Sequence, residues 1–273
     1  MEPAFHMTET RKGADQRLRR GVLLLPSIFT VANLLCGYYA ILATFRGGLV
    51  DLDNAAKAIG LAILFDSLDG RVARATRTNT EFGKQFDSLA DVISFGIAPA
   101  FLAFAWGVRG LLGLDDEGAR QVYQLGWLVT FGFVLCGAWR LARFNLHGMS
   151  DHTSRYFVGL PTPAAAGMVA ATVHFFKSPI DQVSVALLWL WLVATLAVLM
   201  ASTIRYYSFK NIPWSRPFSS LVVVLIGLLL AVGIVHYSEP VLLLMASSYI
   251  LSGAALELVR SVRHRWVSRP VTR

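Results

Sequence analysis

Charged residues are scarce in this chain: of its 273 residues, 15% are charged and 55% are hydrophobic. A soluble globular domain carries roughly 25% charged residues. The shortage, with a mean hydropathy of +0.54, excludes an ordinary soluble domain and predicts helices that lie in a membrane. The net charge is +8, but Lys and Arg alternate with apolar runs, a pattern that favours membrane topology over nucleic-acid binding.

Cysteine is also scarce, and neither Cys36 nor Cys136 has a pairing pattern, so no disulfide or cysteine metal site is predicted. The six histidines include no His-x-x-x-His pair. The first 20 residues lack an apolar core, which argues against a cleaved signal peptide and predicts a cytoplasmic arm at 1–20.

Long apolar runs, by contrast, occur along most of the chain. Because a membrane span needs roughly 20 mostly apolar residues, the sequence predicts an all-α polytopic membrane protein with about eight transmembrane helices. The predicted spans are Val22–Phe45, Ala55–Arg74, Lys84–Val108, Gln124–Phe144, Leu160–Phe176, Val183–Thr203, Pro217–Val235 and Pro240–Val259.

The distribution of Lys and Arg predicts the orientation. With the N-terminus in the cytoplasm, most of the 25 Lys and Arg residues fall on the cytoplasmic side of these spans, as the positive-inside rule requires. We therefore expect one membrane-embedded domain at 21–260 and a basic cytoplasmic tail at 261–273. A basic tail of this kind contacts anionic lipid.

Four aspartates stand out in two of the predicted spans. Asp66 and Asp69 are three residues apart and share one helix face, and Asp87 and Asp91, four apart, share a face of the next helix. In the turn between the two helices, the spacing of Thr78 and Glu81 predicts a capping box at the start of the second one. The two helices are therefore expected to form a hairpin whose carboxylates meet near the cytoplasmic surface.

Four clustered carboxylates need compensation. Two carboxylates about 4 Å apart repel by roughly 4 kcal/mol at an effective dielectric of 20. Hard divalent cations relieve this, and Mg²⁺ commonly joins carboxylates to substrate phosphates. The cluster thus predicts Mg²⁺ or Mn²⁺, and two such ions would clamp a phosphoryl group during displacement.

Residues between the aspartates suit a phosphate ligand. Gly70 permits close backbone approach, Arg74 matches a phosphate, and Ala73 and Gly83 leave space. Asp–Arg pairs near helix ends also serve as topology anchors, and small residues also serve helix packing, but their combination at these spacings favours a site. A divalent-cation transporter, with acids at mid-membrane, and a non-catalytic lipid-binding scaffold are the alternatives from other classes.

The pattern D-x2-D-G-x2-A-R-x8-G-x3-D-x3-D, formed by residues 66–91, resembles that of the CDP-alcohol phosphatidyltransferase family. The resemblance implies a six-helix core, a homodimer and two metal ions. It assigns Asp66, Asp69 and Asp87 to one ion and Asp66, Asp87 and Asp91 to the other, with Asp91 also acting as general base. It further implies that Gly70, Ala73, Arg74 and Thr80 face the cytidine diphosphate.

Within the family, the chain is similar to phosphatidylserine synthases in its segments TVANLLCG (30–37), FGKQFDSLADVISFGIAPA (82–100), RLARFN (140–145), FVGLPTPA (157–164) and RYYSFK (205–210). This similarity implies transfer of a phosphatidyl group from CDP-diacylglycerol to L-serine, with release of CMP, at the cytoplasmic face of the cell membrane. Many members have Pro-Asn where this chain has Pro26-Ser27. Thr30 and Asn33 are predicted to supply that nucleotide contact instead.

The acceptor site is predicted on the fourth span, where Arg140 and Arg143 lie one turn apart at its cytoplasmic end. A guanidinium matches the carboxylate of an amino-acid acceptor, and Asn145 is expected to assist; positive-inside anchoring is the other interpretation. Phosphorylated acceptors, such as glycerol 3-phosphate or inositol phosphate, would want a denser basic pocket. The aromatic segment with Tyr206 and Tyr207 is predicted to lie in an interfacial belt.

Overall fold

The computed structural model of the chain describes residues 28–76, 80–113, 117–147, 156–207 and 236–267. Nearly all of this part is helical, as predicted. The helices are α1 (Ile28–Arg46), α2 (Leu49–Thr76), α3 (Glu81–Gly107), α4 (Glu117–His147), α5 (Thr162–Phe176), α6 (Val183–Ala201) and α7 (Ser238–Val267). A 3₁₀ turn, Arg109–Gly113, follows α3.

Four of the described helices, α1, α3, α4 and α6, are long and apolar enough to cross a membrane. The chain is therefore a multi-pass membrane protein. Helix α5 is apolar but has only 15 residues, and α2 carries the aspartates. The predicted span Pro217–Val235 and the arm at 1–20 lie outside the described residues, so the number eight stays a prediction. Helix α7 continues to Val267, beyond the predicted start of the basic tail.

Small residues line the contacts between helices. Ala40 and Ala43 of α1, Ala62 of α2 and Ala98 of α3 are all fully buried. Without a hydrophobic driving force between helices in lipid, close approach through small side chains holds them together. Large apolar side chains face outward instead, as in Leu188 and Trp191 of α6, which are more than 70% exposed.

Helix α3 changes its winding in the middle. It is α-helical over Glu81–Asp91, π-helical over Val92–Ile97 and α-helical again over Ala98–Gly107. Pro99 accounts for the change, since its ring conflicts with the carbonyl of Phe95 in a regular α-helix. The wide turn follows directly after Asp91.

The cap of α3 differs from the predicted one. The hydroxyl of Thr80 accepts a hydrogen bond from the backbone N–H of Gly83 at 3.0 Å. Thr80 is therefore the N-cap residue, and Thr78 lies outside the described residues. The sequence pattern placed the cap two residues early because Thr78 and Glu81 have the capping-box spacing.

Two short strands, which the sequence analysis did not predict, join distant loops. Strand β1 (Tyr156–Val158) pairs antiparallel with β2 (Arg205–Tyr207), and Phe157 lies opposite Tyr206. Next to them, the N–H of Gly159 donates to the carbonyl of Ile204 at 2.8 Å. Gly159 has a φ of 81°, and a Cβ there would lie 2.6 Å from the carbonyl oxygen of Met200, so this close connection requires glycine.

Candidate active site

The structure brings together three of the four predicted aspartates. Asp66 of α2 and Asp87 and Asp91 of α3 each place one carboxylate oxygen within 4.8 Å of the others. Asp87 and Asp91 lie one turn apart on the same face of α3, directly before the π turn. The cluster therefore forms where two consecutive helices meet, as their sequence spacing predicted.

The fourth aspartate, Asp69, is held from α1. Its side chain is buried, and one carboxylate oxygen accepts a hydrogen bond from the hydroxyl of Thr30. Its charge interacts with those of Asp66 and Asp87. Asp69 thus lies at the edge of the cluster formed by the other three.

Asn33, one turn after Thr30 on α1, binds another aspartate of the cluster. Its side-chain amide donates to Asp91 at 3.2 Å, and its backbone carbonyl accepts from the hydroxyl of Ser94 at 3.0 Å. Both α1 residues were predicted to contact the nucleotide. In the structure they contact the carboxylates, so α1 orients Asp69 and Asp91.

The donor atoms of the cluster suit a hard divalent cation. One oxygen each of Asp69, Asp87 and Asn33 is buried and has no hydrogen-bond partner among the described residues. Nor does any described Lys, Arg or His form an ion pair with Asp66, Asp87 or Asp91. Buried carboxylates that lack cationic partners are strongly unfavourable, and oxygen ligands are those that Mg²⁺ prefers. The three-aspartate cluster could hold a metal ion.

The other residues predicted to face the nucleotide lie on α2 and at the start of α3, the two helices that carry the aspartates. Gly70 is half-buried on α2, while Thr80 and Gly83 form the first turn of α3. Ala73 and Arg74 belong to α2, but their side chains lie outside the described part of the structure.

The three predicted acceptor residues on α4 make different contacts. Arg140 is buried and interacts electrostatically with Asp91. Arg143 donates to the backbone carbonyls of Ala201 at 3.1 Å, Ser202 at 3.0 Å and Val158 at 3.2 Å. Asn145 donates to the hydroxyl of Ser88 on α3 at 2.9 Å. Arg143 therefore ties α4 to the end of α6 and to β1. Asn145 ties α4 to α3, and Arg140 lies near enough to Asp91 for their charges to interact.

Sequence reasoning missed two residues near Arg140. Tyr206 is fully buried, so its assignment to an interfacial belt was wrong, and Thr162 at the start of α5 is buried as well. Both hydroxyls lack a hydrogen-bond partner in the part of the chain that the structure describes. Their only sequence signal was their place in the segments FVGLPTPA and RYYSFK.

Comparisons with known proteins identify the family of this chain and several relatives. The pattern of the CDP-alcohol phosphatidyltransferase family matches residues 23–200, a range that contains all four aspartates. A CDP-diacylglycerol–serine O-phosphatidyltransferase of Helicobacter pylori (strain ATCC 700392 / 26695) is 36% identical over 212 residues, covering 75% of this chain and 81% of that protein.

Archaeal relatives are similar at the same level. A CDP-diacylglycerol–serine O-phosphatidyltransferase of Methanocaldococcus jannaschii is 33% identical over 192 residues, covering 70% of this chain and 78% of that protein. An archaetidylserine synthase of Methanothermobacter thermautotrophicus is 37% identical over 187 residues, covering 67% of this chain and 70% of that protein.

Proposed function

Because this chain belongs to the CDP-alcohol phosphatidyltransferase family, we propose that it transfers the phosphatidyl group of CDP-diacylglycerol to the hydroxyl of L-serine. The products are phosphatidylserine and CMP. The observation that carries the proposal is the cluster of Asp66, Asp87 and Asp91 in a chain whose relatives are named for serine as acceptor. The reaction is therefore a step of phospholipid synthesis.

The four aspartates hold divalent metal in this proposal, either Mg²⁺ or Mn²⁺ and two ions per site. Asp66, Asp69 and Asp87 bind one ion, and Asp66, Asp87 and Asp91 bind the other. The support is the set of unpartnered oxygens on Asp69 and Asp87 and the closeness of the other carboxylates. Bound metal would neutralise the diphosphate and the charge that develops during displacement.

The cytidine diphosphate binds beside the turn between α2 and α3. Gly70 and Ala73 allow it to approach the backbone of α2, Arg74 pairs with a phosphate, and Thr80 and Gly83 contact it from α3. Thr30 and Asn33 also contact the donor in this proposal, and their hydrogen bonds orient Asp69 and Asp91. The acyl chains remain in the bilayer.

Asp91 is the general base. It removes the proton from the serine hydroxyl, whose oxygen attacks the phosphorus that carries diacylglycerol. A new P–O bond to serine forms, and the P–O bond to CMP breaks. Asn33 fixes the orientation of the Asp91 carboxylate, and Arg140 places positive charge near it, where the serine carboxylate would bind.

Direct displacement is favoured over a phosphatidyl-enzyme intermediate. Ser67 and Ser88 lie next to motif aspartates, but their hydroxyls donate to the backbone carbonyls of Ile63 and Lys84, at 2.8 Å and 2.9 Å. Neither hydroxyl is bound to a base that would activate it. Serine therefore attacks the donor itself.

In this proposal the protein lies in the cell membrane, and its active site faces the cytoplasm. Support comes from the Lys and Arg distribution along the chain. The catalytic domain corresponds to residues 21–260, flanked by a cytoplasmic arm at 1–20 and a basic tail at 261–273. The protein forms a homodimer in this proposal, as the family resemblance implies.

A product assay tests this function. Purified protein is incubated with CDP-diacylglycerol, Mg²⁺ or Mn²⁺ and labelled L-serine, glycerol 3-phosphate or inositol phosphate in parallel, and lipid product and CMP are quantified. We expect labelled lipid and equimolar CMP with L-serine only. Product from a phosphorylated acceptor would contradict serine as the acceptor. Metal-dependent ion flux in liposomes without CMP release would instead support a transporter.

A further inference from the structure

Three buried polar groups around Arg140 have no hydrogen-bond partner among the described residues. They are the Nε of Arg140, the hydroxyl of Thr162 and the hydroxyl of Tyr206. These residues are 8%, 1% and 0% exposed, respectively. Buried polar groups are nearly always paired in folded proteins, so a cluster of unpaired ones calls for a ligand.

The three groups belong to one region. A Cβ at Gly137, one turn before Arg140 on α4, would lie 3.6 Å from the methyl of Thr162. On the other side, Arg140 interacts electrostatically with Tyr249 of α7, whose ring centroid lies 5.8 Å from that of Tyr206. These contacts bring residues of helices α4, α5 and α7 and of strand β2 into one region, and the charge of Arg140 in it interacts with that of Asp91.

The chemistry of this region favours an anion with a single charge. A guanidinium N–H and two hydroxyls all donate hydrogen bonds. Helix α5 also begins here, without a side-chain cap, and its N-terminus favours negative charge. Three backbone carbonyls bind the N–H groups of Arg143. Among the described residues here, Arg140 is therefore the guanidinium with an unpartnered N–H, and one guanidinium fork matches a carboxylate.

We propose that Arg140, Thr162 and Tyr206 form the binding site for the carboxylate of the acceptor. The inference rests on the proposed function and deepens it by naming what selects the acceptor. Serine is short, so a carboxylate on Arg140 leaves its hydroxyl toward Asp91, with which Arg140 interacts.

Two of the residues around this site lie outside the part of the chain shared with the family at large. The family pattern ends at residue 200, whereas Tyr206 and Tyr249 follow it. Pairing of β2 with β1 positions Tyr206, and its ring packs on Gly253 of α7, where a Cβ would lie 2.0 Å from the ring. Donor chemistry thus belongs to the common region, and acceptor selection draws on residues after it.

The test removes single hydroxyls. Tyr206→Phe keeps the ring that packs on Gly253, and Thr162→Val keeps the branched shape. The matched control is Tyr123→Phe, a tyrosine of α4 whose ring packs on Phe104. For each variant, KM for L-serine, KM for CDP-diacylglycerol, kcat and the Tm of the detergent-solubilised protein are measured.

We expect the KM for L-serine to rise about tenfold in Tyr206→Phe and Thr162→Val, the usual effect of one lost hydrogen bond to a charged group. The KM for CDP-diacylglycerol should stay within twofold, and Tm should not fall, since an unpaired hydroxyl contributes nothing to the empty protein. The control should match the wild type in all four measurements.

An unchanged serine KM in both variants would overturn the site. So would a lower Tm with both KM values raised, because that combination indicates a structural role. Failure of the proposed function is distinguishable, since it would appear in the wild-type protein as no CMP release with L-serine. A wild-type enzyme that instead uses an acceptor without a carboxylate would overturn both proposals.

Discussion

At the scale of single residues, Asp91 differs from the other three aspartates in its surroundings. It lies at the last α-helical position before the π turn, accepts a hydrogen bond from Asn33 and is the aspartate that interacts with Arg140. Asp69, in contrast, is held by Thr30 at the edge of the cluster. These contacts support the proposed roles of Asp91 at the acceptor and Asp69 at the donor.

Asp91→Asn should therefore separate chemistry from binding. The variant keeps the size of the side chain and one ligand oxygen but cannot take a proton, and general-base catalysis typically contributes 10²- to 10⁴-fold. We expect kcat to fall by that factor while calorimetric affinity for CDP-diacylglycerol changes far less. Asp69→Asn is the matched variant and should weaken donor binding together with turnover.

Single-turnover rates for both variants complete this comparison. Near-normal turnover in Asp91→Asn would place the base elsewhere. Loss of donor binding in Asp91→Asn as complete as in Asp69→Asn would restrict Asp91 to metal ligation.

At the scale of elements, the close crossing of α1 and α3 supports the site. A Cβ at Gly37 would lie 2.4 Å from the hydroxyl oxygen and 2.7 Å from the Cα of Ser94. Ser94 belongs to the π turn and donates to the carbonyl of Asn33. The position of α1, and with it the contact of Asn33 with Asp91, depends on the absence of a side chain at Gly37.

Gly37→Ala should consequently destabilise the protein and lower its activity. Because the clash involves backbone, α1 must move away from α3, and overpacking of this kind costs about 1–3 kcal/mol. We expect a lower Tm and a reduced kcat. The matched control is Gly60→Ala on α2, where a Cβ has no described neighbour within 4 Å; that change should preserve activity and leave Tm equal or higher.

A Gly37→Ala variant as stable and active as Gly60→Ala would contradict this account. It would mean that α1 can shift without displacing Asn33, and that the hydrogen bond to Asp91 does not depend on this crossing.

The same elements show what the sequence could predict. Spacing alone brought Asp66 and Asp69, and Asp87 and Asp91, onto common helix faces, because helical periodicity is local. The partners of these residues come from far away: Thr30 is 39 residues from Asp69, and Asn33 is 58 from Asp91. Periodicity carries no information on which helix packs against which.

Arg143 and Tyr206 illustrate the same limit. From the sequence alone, Arg143 is predicted at the cytoplasmic end of a span, where positive-inside anchoring explains it. Tyr206 is predicted in a loop at the membrane surface, where an interfacial belt explains it. Only the structure shows that Arg143 binds carbonyls of β1 and of the end of α6. It also shows that Tyr206, in the strand that pairs with β1, is buried in the protein. Pairs of three-residue strands are too short to leave a periodic signal.

At the scale of the whole molecule, metal binding should couple activity to stability. The clustered carboxylates repel one another in the absence of cations, and a ligand that binds only the folded state stabilises it in proportion to the logarithm of its concentration. Chelator should abolish activity and lower Tm, and Mg²⁺ or Mn²⁺ should restore both.

Asp87→Asn provides the control for this effect. Removing one negative charge should raise the Tm of the metal-free protein and reduce the shift that Mg²⁺ produces. Full turnover after thorough metal removal, or an equal Mg²⁺ shift in wild type and variant, would refute the metal assignment.

A second polar network is centred on Asp53 of α2. At 1.5 Å per residue, Asp53 lies about 20 Å from Asp66 along this helix. His174 of α5 hydrogen-bonds to Asp53 of α2 through Nδ1 and to the hydroxyl of Ser238 through Nε2, the latter at 3.0 Å. Lys57 also pairs with Asp53 at 2.7 Å. One buried imidazole thus joins α2, α5 and the start of α7.

His174→Ala should therefore loosen the assembly of these helices without touching the chemistry. A buried hydrogen bond to a charged group is worth about 1.5–3 kcal/mol, so we expect a clear fall in Tm. Because Lys57 still pairs with Asp53, no charge is left uncompensated, and the KM values for serine and donor should stay near those of the wild type.

The exposed His236 supplies the matched control, His236→Ala, which should leave Tm unchanged. A His174→Ala protein with normal Tm would show that the network does not hold α7, whereas normal Tm with lost activity would tie this distant end of the molecule to the reaction.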